Sequence, residues 1–189
     1  VIGYGDVGRG CARFGAALGA RVTVVEVDPV RALQASMDGF TVASMEEATP
    51  GAGMLISATG ERATIPLSAL EAAPAGAIVT VAGGVDGEVS IDEAVASSWV
   101  MAESGDPHVQ TLASPSGKTL HVLEHGEGIN YTAGEGNPIE IMDMSFGVQL
   151  ASLRELLTRE GELTPGVHDL PREADDAVAA AALHALSLS

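Results

Sequence analysis

The chain has 189 residues, enough for one domain or one domain with an appendage, and is 46% hydrophobic but only 3% aromatic, with 23 glycines. Nine Lys and Arg against 26 Asp and Glu leave a formal charge of −17, which argues against a general binder of nucleic acid or of anionic membranes. A single cysteine, Cys11, excludes an intramolecular disulfide, and no apolar run reaches the roughly 18 residues of a spanning helix, so a cytoplasmic setting is expected.

Val1 to Gly3 reads as the end of a buried strand. Because the chain opens inside that strand without a Met, a piece of a longer protein is expected. Asp6 to Leu18 follows as a helix, its apolar residues Val7, Cys11, Phe14 and Leu18 spaced by 4, 3 and 4, with Gly19 as C-cap. Arg21 to Val27 is a β-branched run that suits a parallel strand buried on both faces, and Pro29 opens a helix that runs to Met37. Gly39 to Ala43 reads as a short strand, Met45 to Ala48 as a helical turn, and Met54 to Thr59 as a strand. Pro66 to Ala72 then reads as a short helix and Ala77 to Val81 as a further strand. The alternation predicts the α/β class with a doubly wound parallel sheet, because parallel neighbours require crossover connections.

Beyond Trp99 the pattern changes. Val109 to Ala113 and Thr119 to Leu123 flank Ser114-Pro-Ser-Gly117 and read as a β-hairpin appended to the sheet. Glu124 to Pro138 carries four glycines, and loops of that length in a compact domain usually bind something or hinge. Ile139 to Arg159 reads as a long amphipathic helix displaying Met142, Phe146, Leu150, Leu153 and Leu157, and Ala174 to Leu186 as a second, Ala-rich one. The expected division is a domain over 1–137 and a C-terminal helical segment over 138–189. Met142, Met144 and Phe146 read as core packing at helical spacing. The apolar row as a whole, with no further domain to cover it, makes a homo-oligomer the expectation.

Gly3-Tyr-Gly-Asp-Val-Gly8 is a G-x-G-x-x-G segment between a strand end and a helix start, where its mechanism needs it. Gly3 allows the tight turn, Gly5 lets the backbone approach a pyrophosphate, and Gly8 lets helix and strand pack closely. Asp6 and Val7 open the helix, whose N-terminal N–H groups and partial positive charge attract phosphate. Glu26 closes the second strand 18 residues after Gly8, where a carboxylate accepts hydrogen bonds from the adenine-side ribose. A carboxylate there also repels a 2′-phosphate, favouring NAD over NADP, and Arg31 slightly weakens that preference. Together these define a Rossmann-type domain that binds NAD.

Gly3-Tyr-Gly-Asp-Val-Gly-Arg-Gly-Cys-Ala12, Glu26-Val-Asp-Pro-Val-Arg-Ala-Leu-Gln-Ala35, Asp38-Gly-Phe40, Ser57-Ala-Thr-Gly60 and Gly166-Val-His-Asp-Leu-Pro171 occur in this order along the chain. The whole resembles the cofactor domain of the S-adenosylhomocysteine hydrolase family. Asn137-Pro-Ile-Glu-Ile-Met-Asp-Met-Ser-Phe146 resembles the segment by which that family's chain returns to its substrate domain. The resemblance implies a permanently held NAD that oxidises a nucleoside 3′-hydroxyl, with thiol elimination, water addition and reduction following. It implies a pyrophosphate held by Gly5 to Gly8, a ribose by Glu26, the nicotinamide side by Ala82 and Gly83, and the carboxamide end by Asn130. Thr59, within the Ser57 to Gly60 motif, joins this cofactor set. Gly83-Gly-Val-Asp86 stands where the family usually has Gly-His-Phe-Asp, and Gly136-Asn137-Pro138 where it has Gly-His-Pro. With both histidines and the substrate domain missing from these residues, hydrolysis by this chain alone is not expected, and no catalytic residue is assigned.

His108, His121, His125, His168 and His184 include no pair at helical metal-ligand spacing, so no metal is expected. Glu124, Glu127 and Glu135 beside His125 read as a solvated acidic loop before they read as acid–base groups. Cys11 reads as a small buried hydrophobe. Two further classes of function stay open beside the hydrolase-like one: a catalytically silent NAD-binding module for assembly or sensing, and a simple NAD-dependent dehydrogenase on another substrate.

Overall fold

The computed structural model describes residues 1–130 and 132–186. The chain divides into two compact units, Val1–Glu135 and Gly136–Ser189.

The first unit is built on parallel strands. β1 (Thr23–Val24) pairs in parallel with β2 (Thr41–Val42). A five-stranded sheet runs in the order β3 (Met54–Ser57), β4 (Ile78–Val81), β7 (Thr119–Leu123), β6 (Val109–Ala113), β5 (Val100–Glu103). Val1 to Gly3 joins the two sheets. Ile2 bridges Val25 on one side and Ser57 on the other, both in parallel, and the Gly3 and Ala58 N–H groups donate to Val25 O and Ile2 O. Chain order therefore reverses beside this segment: the next two strands lie to one side of it and β3 and β4 to the other. That reversal is where open α/β sheets bind their ligands.

Helices follow the strands as the sequence predicts. α1 (Asp6–Ala17) ends in a Schellman motif: Gly19, at φ +91°, donates to Ala16 O, and Ala20 to Gly15 O. Pro29 opens α2 (Pro29–Met37), and the Asp28 carboxylate caps it by accepting from Val30 N at 2.8 Å and Arg31 N at 3.1 Å. α3 (Met45–Ala48) starts with a capping box between Ser44 and Glu47. α4 (Leu67–Ala72) is closed by the chain's single lysine. Lys118 Nζ donates to the carbonyls of Leu70, Glu71 and Ala73 at 2.7 to 2.9 Å and sits 5.5 Å from the Trp99 ring centroid.

The hairpin β6–β7 is added to the sheet as expected, β7 pairing with β4 in parallel and carrying β6 and β5 outward as antiparallel strands. Two expectations change. Two elements went unread, α5 (Ile91–Ala96) and β5, since six helical and four extended residues are too few to show a period. Arg21 to Val27 yields only a short strand with a single buried residue, Val24, and Val27 is 96% exposed. The main core gathers Ile2, Leu55, Leu70, Val79, Val81, Trp99, Leu112, Leu120 and Val122 around the five-stranded sheet, and a smaller one joins Tyr4, Ala12, Val24 and Ala35.

The second unit holds α6 (Ile139–Thr158) and α7 (Arg172–Ala185). They meet through small residues: a Cβ on Gly147 would stand 3.0 Å from Val178 Cγ1, and Ala151 and Ala174 are half-buried. The expectation that Met144 and Phe146 are core is overturned, since they are 42% and 49% exposed. Phe146 lies off the Gly147 to Ala151 stripe that meets α7, in the exposed row of Leu150, Leu153 and Leu157. No helix among the described residues is long and apolar enough to cross a membrane.

Candidate cofactor site

The site forms where the ends of the parallel strands meet the loops that follow them. Gly3, at φ +89°, turns the chain out of its strand beneath Ala58 and Thr59, and a Cβ there would stand 3.0 Å from both Ala58 O and Thr59 Cγ2. Gly8 lies against Gly3: a Cβ on it would overlap the Gly3 carbonyl oxygen and reach 2.8 Å from its carbon. Gly5 is open by contrast, with only Arg31 Nη1, 3.8 Å from its Cβ position, nearby. Gly5 is also the N-cap of α1 and brings no side-chain acceptor, so the first-turn N–H groups of Asp6, Val7 and Gly8 face outward without a capping side chain. Asp6 and Val7 are exposed, and Asp6 turns its carboxylate 3.6 Å from Arg9. An anion placed over Gly5 meets free N–H groups, the helix dipole and the Arg31 guanidinium together.

Glu26 closes the crevice on one side. Its Oε2 accepts from Tyr4 N at 2.6 Å, and its Oε1 from Val27 N at 2.7 Å and Asp28 N at 2.9 Å. The carboxylate thus ties the phosphate loop to the loop after β1, and Oε2 retains a lone pair for a ribose hydroxyl. Tyr4, fully buried behind the loop, packs edge-on against Phe40 and donates its hydroxyl to Asp38 Oδ2 at 2.7 Å, which Arg13 also reaches at 3.1 Å. Burial, with Asp38 beside it, pushes the Tyr4 phenol up. The Tyr4 hydroxyl, then Arg13, holds Asp38 below the usual carboxylate range. None of this second layer was singled out from sequence as a support, although Tyr4 sits inside the fingerprint.

On the other side stand the loops after β3 and β4. Thr59 lies between Gly3 and a buried carboxylate, Glu88. Ala82 donates its N–H to Ser57 O at 2.8 Å, and Gly83 follows at φ +73°. Asn130 faces Gly83, its Nδ2 being 3.5 Å from the glycine's Cβ position, because the chain after β7 continues in parallel beside the end of β4: Gly128 bridges Val81, and Ile129 N–H donates to Val81 O at 3.0 Å. Gly3, Gly5, Gly8, Glu26, Arg31 and Thr59 therefore surround the phosphate loop, and Ala82, Gly83 and Asn130 gather over the end of β4.

The remaining candidates fall elsewhere. His108 Nδ1 pairs with Glu124, and Glu124 and His125 both adopt positive φ, at +49° and +56°. Gln110, fully buried, holds that strained turn by accepting from His125 N at 2.7 Å. Glu127 is pushed above the ordinary glutamate range, first by burial and then by Asp86. Cys11 is half-buried, and burial raises its thiol. Asn137 lies in the second unit, where its amide points at Met142 Sδ at 3.7 Å.

The uncapped helix start, the open Gly5 and the carboxylate at the end of β1 together fit a dinucleotide. Fold and site define an NAD-binding domain of the Rossmann type. The family described as S-adenosyl-L-homocysteine hydrolase, NAD binding domain, matches residues 1–136. The chain is 41% identical to an adenosylhomocysteinase from Thermococcus kodakarensis over 95% of its own length and 42% of that protein's. It is 39% identical to an S-inosyl-L-homocysteine hydrolase from Methanopyrus kandleri, over all of this chain and 44% of that one. An adenosylhomocysteinase from Thermotoga maritima matches at 38% over 100% and 46%. The chain belongs to the S-adenosyl-L-homocysteine hydrolase family, as its NAD-binding domain, and spans less than half the length of these relatives.

Proposed function

We propose that this chain supplies the redox half of an enzyme acting on a purine-nucleoside thioether of homocysteine, and that its NAD oxidises a hydroxyl on the nucleoside sugar. One observation carries the reading: an uncapped phosphate loop and a ribose-side carboxylate stand opposite a second cluster, Gly83 and Asn130, on the far side of the same crevice. In this reading the N–H groups of Asp6, Val7 and Gly8 hold the pyrophosphate with Arg31, Glu26 holds the adenosine ribose, and Thr59, Ala82, Gly83 and Asn130 flank the nicotinamide half. NAD supplies the hydride acceptor; the chain's own work is to bind and orient it.

Two relatives of similar identity are named for different nucleosides, one adenosyl and one inosyl. The substrate class proposed here is therefore the homocysteine thioether of a purine nucleoside, with the base left to the substrate domain. Residues 138–189 are read as the segment that returns to that domain. The exposed row Phe146, Leu150, Leu153 and Leu157 is read as the surface covered by it or by a second copy.

Calorimetric titration with NAD and with NADP, followed by addition of adenosine or inosine while NADH absorbance is followed, tests the reading. NAD-selective binding with reduction on a nucleoside is the expected result. Binding without reduction supports the silent module, steady release of NADH with another substrate supports a simple dehydrogenase, and absence of NAD binding overturns the site.

A further inference from the structure

We propose that Glu88 is a positioning residue for the nicotinamide half of the cofactor: its buried carboxylate clamps the loop after β3 to the loop after β4. This inference rests on the NAD reading of the site given above. Glu26 at the end of β1 marks the adenosine side, so the second mononucleotide half of a doubly wound sheet falls over β3 and β4.

Glu88 is fully buried, and among the described residues no cation is a hydrogen-bond partner of it. Donors converge on it from both loops. The Ser57 hydroxyl, the Thr59 hydroxyl at 2.9 Å and, more distantly, Thr59 N at 3.4 Å point at Oε2, whereas Val85 N donates to Oε1 at 3.2 Å. Thr64 extends the network through Ser57 at 2.9 Å. A buried carboxylate is costly unless donors satisfy it, so its retention calls for an explanation in what it holds together.

Gly84 is the second observation. It stands at φ +118°, and a Cβ on it would overlap Glu88 Oε1 and lie 3.3 Å from both Glu88 Cδ and Gly60 Cα. The carboxylate fills the room a side chain at 84 would need, between Gly60 of one loop and Gly84 of the other. Both loops border the candidate site: Thr59 packs on Gly3, and Gly83 faces Asn130. Loosening Glu88 therefore lets Gly83 and Thr59 drift apart while the phosphate loop and Glu26, built from other residues, stay in place.

The test is the split between NAD and ADP-ribose, which shares the adenosine and pyrophosphate but has no nicotinamide. In calorimetric titrations Glu88→Ala is expected to weaken NAD binding about tenfold or more and to leave ADP-ribose within about twofold, since misplacement affects only the ring's contacts. Equal loss for both ligands, or unchanged NAD binding, overturns the proposal. ADP-ribose binding also reports that the variant is folded. Should Glu88→Ala not fold, Ser57→Ala removes one donor at little cost in volume and carries the same split at smaller amplitude, with the same two overturning outcomes. A wild-type chain that binds neither ligand would instead sink the NAD reading itself.

Discussion

The two sides of the crevice are held by different means. On the adenosine side the contacts end on main chain: Gly8 packs on the Gly3 carbonyl, and the Glu26 carboxylate accepts three backbone N–H groups. On the nicotinamide side, the loops are joined by side chains, through Ser57, Thr59 and Glu88. Backbone packing tolerates almost no change of residue, because the atom in the way cannot swing aside. A side-chain network can be loosened by degrees. The largest effect is accordingly expected at Gly8. Gly8→Ala drives its Cβ into the Gly3 carbonyl, with no rotamer to relieve it, and costs about 3 kcal/mol or more. Denaturant unfolding should show it, and NAD binding should disappear with it. A variant of near-native stability would mean that helix and strand can separate, and the contrast between the two sides would fail.

Glu26 comes next. Its removal takes away three hydrogen bonds that order the phosphate loop as well as the proposed ribose acceptor. Glu26→Ala is expected to weaken NAD and ADP-ribose alike, by about 10- to 100-fold, since one charge-assisted bond to a ribose hydroxyl is worth roughly 1.5 to 3 kcal/mol. It should also narrow the gap between NAD and NADP, because the anion facing a 2′-phosphate is gone and Arg31 remains. The equal loss for both ligands is what separates this residue from Glu88. If Glu26→Ala lowered NAD affinity alone, the assignment of the two halves would be reversed.

These sides were unequally legible in the sequence. The phosphate loop announces itself because it obeys a local rule: three glycines at fixed spacing between a strand end and a helix start, with an acid at the next strand end. The strand–helix alternation was legible for the same reason, and so were the Pro29 start of α2 and the β6–β7 hairpin. Glu88 obeys no local rule. Its partner Ser57 lies 31 residues away, and the contact exists only because β3 and β4 are neighbours in the sheet. The position of β7 was illegible on similar grounds, since nothing in a hairpin's turn says which edge it joins. On α6 the apolar period was read correctly as helix, yet the period does not say which neighbour covers it. The small residues Gly147 and Ala151 meet α7, and the larger apolar ones face outward.

The smallest expected effect is a difference in sign with pH. On the adenosine side Asp28 and Asp38 are held below their ordinary value of 3.8, Asp28 by the N–H groups of Arg31 and Val30, Asp38 by the Tyr4 hydroxyl and then Arg13. A carboxyl depressed on folding contributes stability above its unfolded value and loses it as pH falls through the folded one, so this side weakens below pH 3.8. Glu127, after β7, is raised above its ordinary 4.5 by burial and by Asp86. A raised carboxyl works the other way: its contribution is complete below pH 4.5 and is lost as pH climbs through the folded value. Stability measured by urea unfolding should therefore decline on both flanks of a maximum near the carboxylate range. Asp38→Asn should flatten the acid flank and Glu127→Gln the flank above 4.5. Each variant acting on the opposite flank, or neither acting, would show that the charges do not sort by side. The contrast would then rest on packing alone, because main-chain contacts carry no titrating group.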